Sequence, residues 1–213
     1  MNNETVNNTA SKEKGLFIVI SAPSGAGKTS ICRKLLERWQ NLKFSVSYTT
    51  RAPRPDEKDG EGYHFISDAA FREKIVQNEF AEWVENYGYL YGTSKMTMDS
   101  FLEKGCDLLI DVEPRGAKNL KFFFPGGIFV FIFPPSWEEL ENRLIKRGFE
   151  GKEAMRERLR KAREDCADVC WYDYVVFNDQ LPEAVDQLSA IYMAEKSRRE
   201  RLQKRIDDLL SCR

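Results

Sequence analysis

The chain has 213 residues, and its 33 Lys and Arg residues nearly balance its 34 Asp and Glu residues, which leaves a formal net charge of −1. Hydrophobic residues make up 42% and aromatic residues 12% of the chain, enough to bury a core, so wholesale disorder is excluded. The balanced charge argues against a dedicated nucleic-acid binder, and no apolar run approaches the roughly 18 residues that a membrane span needs. We therefore expect neither a nucleic acid nor a membrane as partner.

The first half of the chain begins with a polar segment, residues 1–14, that lacks the apolar stretch of a secretory signal. We predict a flexible arm there and a cytoplasmic protein. The apolar pattern then predicts a buried strand, a helix, a second strand and two further helices. Their ranges are Leu16–Ser21, about Lys28–Trp39, Phe44–Tyr48, about Ser67–Asn78 and about Ser94–Lys104.

The second half of the chain repeats the alternation of strands and helices. Two strongly apolar runs, Leu108–Val112 and Ile128–Phe133, predict central parallel strands. Ser136 and Glu139 form a capping box that predicts the start of a helix, which ends near Gly148. The remaining predicted elements are a helix over Met155–Val169, a strand at Tyr174–Phe177, a helix from Pro182 and a charged helix from about Glu195. This order predicts an α/β fold with a mostly parallel sheet flanked by helices.

The turn after the first strand reads S-A-P-S-G-A-G-K-T-S at Ser21–Ser30, between a strand and a helix, which is the context of a P-loop. Its glycines let the backbone curl around an anion, and the N–H groups at the start of the helix complete a phosphate cradle. Lys28 would reach the β- and γ-phosphates, and the Thr29 hydroxyl would ligate Mg²⁺. The alternative is a chance glycine-rich turn, since Ala22 stands where the usual pattern begins with glycine.

The predicted nucleoside triphosphate site therefore consists of the residues of this turn and the start of its helix: Ala22, Pro23, Ser24, Gly25, Ala26, Gly27, Lys28 and Thr29. A P-loop by itself does not distinguish a GTPase, an ATPase or a small-molecule kinase.

A second phosphate site is indicated by the loop that follows Phe44. Arg51 and Arg54 are three residues apart, and Pro53 and Pro55 stiffen the backbone beside them. A pair of guanidinium groups offers planar forks of donors that suit a phosphate. The alternative from these residues alone is a solvated basic turn.

Several ordered motifs together make the chain resemble the guanylate kinases, which transfer a phosphoryl group from ATP to GMP. The resemblance covers about Gly15–Met193. Besides the P-loop, its motifs are S-V-S-Y-T-T-R-A-P-R at Ser45–Arg54, G-E-G-Y-H-F at Gly60–Phe65, N-E-F-A-E-W at Asn78–Trp83, Y-G-T at Tyr91–Thr93, D-V-E-P-R-G at Asp111–Gly116, R-L-I-K-R-G at Arg143–Gly148 and V-V-F-N-D at Val175–Asp179. The resemblance implies a P-loop kinase core with a small GMP-binding subdomain at about 44–93 and a lid at about 143–158. The charged C-terminal helix that the sequence predicts at 195–213 lies outside the resemblance.

The resemblance also implies a role for each matching residue. The GMP phosphate would be held by Ser47, Arg51, Arg54, Tyr63 and Tyr91, and guanine would be read by Glu82, Thr93 and Glu113. The catalytic set would be Lys28, Arg51, Arg143, Arg147 and Arg158, although each lid arginine has the alternative of an ordinary helix-surface residue. The resemblance further implies that Asn178 contacts the adenine of ATP. Apart from the resemblance, Asp111 lies at the carboxyl end of a predicted strand, where α/β sheets bind ligands, and would influence Mg²⁺ through water.

The chemistry of guanine supports this assignment. Guanine presents N1–H and the 2-amino group as adjacent donors, and a carboxylate such as Glu82 accepts both, whereas adenine presents a lone pair at N1. A hydroxyl such as Thr93 would donate to O6. The chain departs from the family at Glu113, where Asp is usual, and at Arg115, which places a charge near the guanine pocket where Gln is usual.

Three functions are compatible with such a sequence. The first is a kinase that converts GMP, and also dGMP, in purine nucleotide metabolism, with Mg²⁺ and ATP. The second is a phosphopeptide-binding scaffold module with a lost catalytic centre, against which Lys28 and Thr29 argue. The third is a kinase for a sugar phosphate such as ribose 1,5-bisphosphate, against which Glu82 and Thr93 argue. The oligomeric state stays open.

Overall fold

The computed structural model describes residues 14–55, 57–146 and 152–211. In chain order its strands are β1 (Phe17–Ser21), β2 (Leu42–Phe44), β3 (Ser47–Thr49), β4 (Tyr63–Phe65), β5 (Phe80–Asn86), β6 (Tyr89–Ser94), β7 (Asp107–Asp111), β8 (Ile128–Phe133) and β9 (Tyr174–Phe177). Its helices are α1 (Lys28–Arg38), α2 (Asp68–Val76), α3 (Lys95–Glu103), α4 (Pro114–Phe123), α5 (Trp137–Lys146), α6 (Lys152–Ala167), α7 (Leu181–Lys196) and α8 (Arg199–Ser211).

The larger sheet has five strands in the order β2-β7-β1-β8-β9, and every pair in it is parallel. Its central strands are buried on both faces because helices cover each side. Ile18 and Ile20 pack with α1 and α7, whereas Phe17 and Val19 pack with α3 and α4. The predicted α/β fold with a mostly parallel sheet flanked by helices is confirmed.

The smaller sheet has four strands in the order β4-β3-β6-β5 and lies within residues 47–94. Strands β3 and β4 are parallel, whereas β6 is antiparallel to both β3 and β5. Phe71 of α2 stacks on Phe80 with ring centroids 4.4 Å apart, and Leu90 completes this separate small core. The second sheet therefore has its own packing, apart from the core of the larger sheet.

Two predicted elements need correction. The single strand predicted at Phe44–Tyr48 is two strands, because β2 ends at Phe44 in the larger sheet and β3 begins at Ser47 in the smaller one. The capping box at the start of α5 is only half formed. The Ser136 hydroxyl accepts from the Glu139 backbone N–H at 3.1 Å, but the Glu139 carboxylate accepts from Arg143 Nε instead.

Other differences concern element ends and elements that the apolar pattern left out. Helix α6 ends at Ala167, before Val169, and the predicted end of α5 near Gly148 lies outside the described residues. The apolar pattern of the sequence predicts none of β4, β5, β6 and α4. No helix in the described part of the chain is long and apolar enough to cross a membrane.

Candidate active site

The turn between β1 and α1 has the backbone of a phosphate-binding loop. Gly25 and Gly27 have φ values of +93° and +97°, which L side chains rarely adopt, so the turn requires glycine at both positions. Helix α1 begins at Lys28 without a side-chain cap. The first N–H groups of a helix lack intrahelical partners, so this uncapped terminus suits an anion.

Two residues from distant parts of the chain hold this turn in place. The carbonyl oxygen of Ala26 accepts from Asn178 Nδ2 at 2.7 Å and from Arg143 Nη1 at 3.3 Å. Glu139 orients the same arginine by accepting from its Nε at 2.8 Å. The structure therefore places the predicted Arg143 and Asn178 against the turn, and the adenine contact of Asn178 stays a prediction.

The ammonium group of Lys28 lies beside the carboxyl end of β7. Its Nζ is 2.5 Å from Asp111 Oδ1 and donates to the Val112 carbonyl at 3.0 Å. Burial opposes the charge of this lysine, but the carboxylates of Asp111 and Glu113 outweigh burial and raise its pKa above the ordinary value. Lys28 is therefore held as a cation where the chain leaves the central strands, the usual place for ligands in a parallel sheet.

The register of the smaller sheet brings the predicted acceptor residues together. Ser47 lies opposite Tyr63, and Glu82 lies opposite Thr93. Ser47, Tyr63 and Glu82 line a cavity of about 30 Å³, and its lining also includes Lys28, Tyr91, Asp111 and Glu113. Thr93 is not among the lining residues and lies buried against Glu82. The cavity thus joins the lysine of the glycine-rich turn to most of the residues predicted to hold GMP.

Glu82 is a buried carboxylate with one oxygen left without a partner. The residue is 6% exposed, and its Oε1 accepts from Thr93 Oγ1 at 2.8 Å, whereas its Oε2 has no hydrogen-bond partner in the structure. Gly116 in the first turn of α4 leaves room for it, since a Cβ there would come within 2.6 Å of that oxygen. Burial raises the pKa of Glu82 to about 7, although hydrogen bonds from Thr93 oppose the rise.

Unpartnered buried polar atoms are rare in proteins and usually mark a place where another group binds. The hydroxyl of Ser47 is a second such atom on the same cavity. Thr93 uses its hydroxyl proton on Glu82, so its predicted donation to guanine O6 stays a prediction.

The predicted phosphate arginines contact a carboxylate that the sequence analysis missed. Arg51 donates from Nη1 and Nη2 to Glu57 at 2.8 and 2.9 Å, and the backbone N–H of Arg54 donates to the same carboxylate at 2.8 Å. Hydrogen bonding to Arg51 lowers the pKa of Glu57 and raises that of the guanidinium. The spacing was a usable signal, because an acid six residues after one arginine and three after another shares their loop.

The predicted lid arginines have three different outcomes. Arg143 contacts the glycine-rich turn, Arg147 lies outside the described residues, and Arg158 lies on α6 with its guanidinium carbon 4.9 Å from the Tyr87 ring centroid. Burial and the nearby Glu113 raise the pKa of Asp165 on the same helix to about 6. Helix α6 therefore lies close to the cavity that Glu113 lines.

Comparison with known proteins gives a consistent result. The family model described as guanylate kinase matches residues 14–195. The guanylate kinase of Syntrophus aciditrophicus is 54% identical over 205 residues, which are 96% of this chain and 99% of that protein. That of Caldanaerobacter subterraneus is 46% identical over 89% of this chain and 92% of its own. The crystal structure of guanylate kinase from Anaplasma phagocytophilum covers 92% of this chain and 97% of its own, at 30% identity and a TM-score of 0.73.

Proposed function

The chain belongs to the guanylate kinase family, and on that premise we propose how its two sheets bring ATP and GMP together. As a member of this family, the protein transfers the γ-phosphoryl group of ATP to GMP and so forms ADP and GDP. The resemblance that the sequence motifs indicated is thereby confirmed. The observation that carries the proposal for the site is the unpartnered oxygen of the buried Glu82.

Guanine would be read at this carboxylate. N1–H and the 2-amino group would donate to Glu82, and Oε2 would gain the partner that it lacks in the structure. Adenine has a lone pair at N1, so AMP would leave the carboxylate buried and unpaired, which is costly. Glu113 and Thr93 would complete the base site. None of these contacts involves the ribose 2′-hydroxyl, so we also expect dGMP to be accepted.

The phosphate of GMP would be held by Ser47, Arg51, Arg54, Tyr63 and Tyr91. In the structure, Glu57 accepts the hydrogen bonds from Arg51 Nη1 and Nη2 that the phosphate would need to receive. We propose that Arg51 turns at least one donor from this carboxylate to the phosphate when GMP binds. Residues 44–93 would then act as the GMP-binding region.

The donor side would consist of the turn from Ala22 to Thr29 with Asn178, and Lys28 would contact the β- and γ-phosphates. In the transfer, a phosphate oxygen of GMP bonds to the γ-phosphorus while the bond to the β–γ bridging oxygen breaks, and ADP leaves. Negative charge spreads over the equatorial oxygens, so cations supply most of the catalysis. We assign this role to Lys28, Arg51, Arg143, Arg147 and Arg158.

Magnesium fits the residues present only as a partner of ATP. No cluster of three or more His, Cys, Asp or Glu side chains that could hold a metal occurs in the described ranges. Mg²⁺ commonly keeps several waters and binds through substrate phosphates with one or two protein oxygens. The exposed Thr29 hydroxyl would be one such oxygen, and Asp111 would act through water. When bound, the ion would neutralise charge on the transferring phosphates.

Binding would require the site to change shape. The cavity measures about 30 Å³, against roughly 300–1,000 Å³ for a typical small-molecule site. We propose that the GMP-binding region and a lid at about 143–158 open to admit the substrates and close to exclude water, which would otherwise hydrolyse ATP. We further propose that the protein acts in the cytoplasm.

The two other candidate functions do not account for Glu82 and Lys28. A sugar bisphosphate has no base to donate to a buried carboxylate, and a phosphopeptide module has no use for a P-loop lysine held as a cation.

The experiment that tests the proposal replaces Glu82 by Gln, which keeps its size and removes its charge. We expect kcat/KM for GMP to fall about 10²-fold or more, with KM for ATP within about twofold of wild type. Glu85→Gln, an exposed position on the same strand, is the matched control. An unchanged kcat/KM for GMP in Glu82→Gln would remove the base assignment.

A further inference from the structure

The turn that joins β5 and β6 holds an aromatic residue in an unfavourable conformation. Tyr87 and Gly88 have φ values of +51° and +77° between the paired residues Asn86 and Tyr89. A two-residue hairpin turn of this type favours Asn or Gly, because a bulky side chain at positive φ is strained. Asn78 is the other described non-glycine residue at positive φ, and asparagine tolerates it. Tyrosine at this turn therefore indicates a role for its side chain.

The side chain of Tyr87 lies against two cations of the lid helix α6. The guanidinium carbon of Arg158 is 4.9 Å and the ammonium of Lys161 is 4.4 Å from the centre of its ring. The two cations are three residues apart and so share one face of the helix. Lys161 also donates to Asn86 Oδ1, on the same hairpin. The Tyr87 ring and the Asn86 amide of the hairpin tip thus contact the cations Arg158 and Lys161 of the lid helix.

The strands behind this tip belong to the acceptor side of the site. Strand β5 carries Glu82, and β6 carries Tyr91 and Thr93, so the hairpin joins the base-reading residues to the lid helix. Cations over an aromatic face are attracted by the ring quadrupole, and the attraction fixes their position without neutralising their charge.

We propose that Tyr87 is a positioning residue that holds the Arg158 guanidinium against the acceptor hairpin and so links this hairpin to the lid. The inference rests on the proposed catalytic role of Arg158. Its contribution is to the orientation of that guanidinium, so it acts on the chemical step and leaves GMP binding to the residues within the sheet.

The test uses three hairpin variants and one lid variant. Tyr87→Asn removes the ring and retains a residue that suits the turn, which protects folding. Tyr87→Phe keeps the ring and loses only the hydroxyl. Tyr89→Thr is the matched control, since Tyr89 is 43% exposed on the same hairpin and makes no ring contact with a cation in the described part of the chain. Arg158→Ala and the double variant Tyr87→Asn/Arg158→Ala complete a cycle.

We expect Tyr87→Asn to lower kcat about 5- to 30-fold, as the loss of one half-buried cation–ring contact with Arg158 predicts, with KM for GMP within about twofold. Tyr87→Phe and Tyr89→Thr should retain kcat within about twofold. In the Arg158→Ala background, Tyr87→Asn should lower kcat by less than twofold more, because the group it positions is gone.

Two results would overturn the inference in distinguishable ways. If Arg158→Ala lowers kcat but Tyr87→Asn does not, or changes only KM for GMP, Tyr87 does not position that arginine. If Arg158→Ala itself leaves kcat unchanged, the proposed catalytic role of Arg158 fails first, and the inference built on it fails with it.

Discussion

Replacement of Glu82 by Gln should change the pH dependence of stability in a direction that burial dictates. Burial raises the pKa of Glu82 to about 7 in the folded chain, whereas the ordinary value is 4.5. The folded protein therefore holds this proton more tightly than the unfolded chain does. The resulting stabilisation is complete below about pH 4.5 and is lost as the pH rises through about 7.

The magnitude follows from the same two values. A tenfold change in proton affinity corresponds to about 1.4 kcal/mol, so wild type should lose about 2–3 kcal/mol of unfolding free energy at this site between pH 5 and pH 8. Gln does not titrate, and its side-chain oxygen can accept the hydrogen bond from the Thr93 hydroxyl as Glu does. The unfolding free energy of the variant therefore does not fall with pH at this site. Relative to wild type, Glu82→Gln should gain about 2–3 kcal/mol over that range.

The assay is urea unfolding of both proteins, without nucleotide, at intervals between pH 5 and pH 8. Other titrating groups are common to the two chains and cancel in the difference between their unfolding free energies. Glu85→Gln, which removes an exposed carboxylate from the same strand, should run parallel to wild type. Parallel curves for Glu82→Gln and wild type would refute the reasoning, because they would mean that Glu82 is no more reluctant to ionise in the fold than in the unfolded chain.

Two further predictions concern the transfer step and closure. Lys28→Ala should stay folded and lose about 10²–10³-fold in kcat, because the missing charge acts on the transferring phosphoryl group. Lys34→Ala, at an exposed position on the same helix, should match wild type. A near-normal rate in Lys28→Ala would mean that ATP is held differently. Small-angle X-ray scattering should show a smaller radius of gyration with GMP and a nonhydrolysable ATP analogue than without them, since the GMP-binding region and the lid would close on the larger sheet. An unchanged radius with both ligands bound would reject closure on that scale.

The parts of the fold that the sequence predicts are those in which local pattern and tertiary environment agree. Strands β8 and β9 match their predicted ranges, β1 begins one residue later than predicted, and β7 begins and ends one residue earlier. The patterns of β1, β7 and β8 are readable because a strand covered on both faces is a nearly continuous apolar run. Ser67 and Ser94 cap α2 and α3 as typical N-cap residues.

The smaller sheet was difficult to predict for a physical reason. Glu82 and Tyr91 line the cavity, and Thr93 is buried against Glu82, so polar residues occupy inward positions and the expected alternation is broken. Helix α4 is likewise short, and it begins with Pro114 and Arg115 directly after Glu113, which lines that cavity. The polar residues beside the cavity therefore interrupt the hydrophobic patterns from which these strands and this helix would be predicted.

For the candidate site, the sequence motifs indicated residues but not the contacts that these residues make in the structure. Motifs indicated Lys28, Arg51 and Asn178, but no spacing showed that the lysine contacts Asp111 or that Asn178 holds the Ala26 carbonyl. Such contacts join residues that are 83 or more positions apart in the chain, and only the packing of the strands brings them together.

The most direct test of the account is the choice of acceptor by the wild-type protein. ADP release from MgATP would be measured with GMP, dGMP, AMP, CMP, UMP or ribose 1,5-bisphosphate at equal concentration. We predict that GMP gives the highest rate and dGMP a lower but clear one, because both present two adjacent donors to Glu82. AMP turnover comparable to that of GMP would contradict the base assignment, and a preference for ribose 1,5-bisphosphate would show that the buried carboxylate does not read a base.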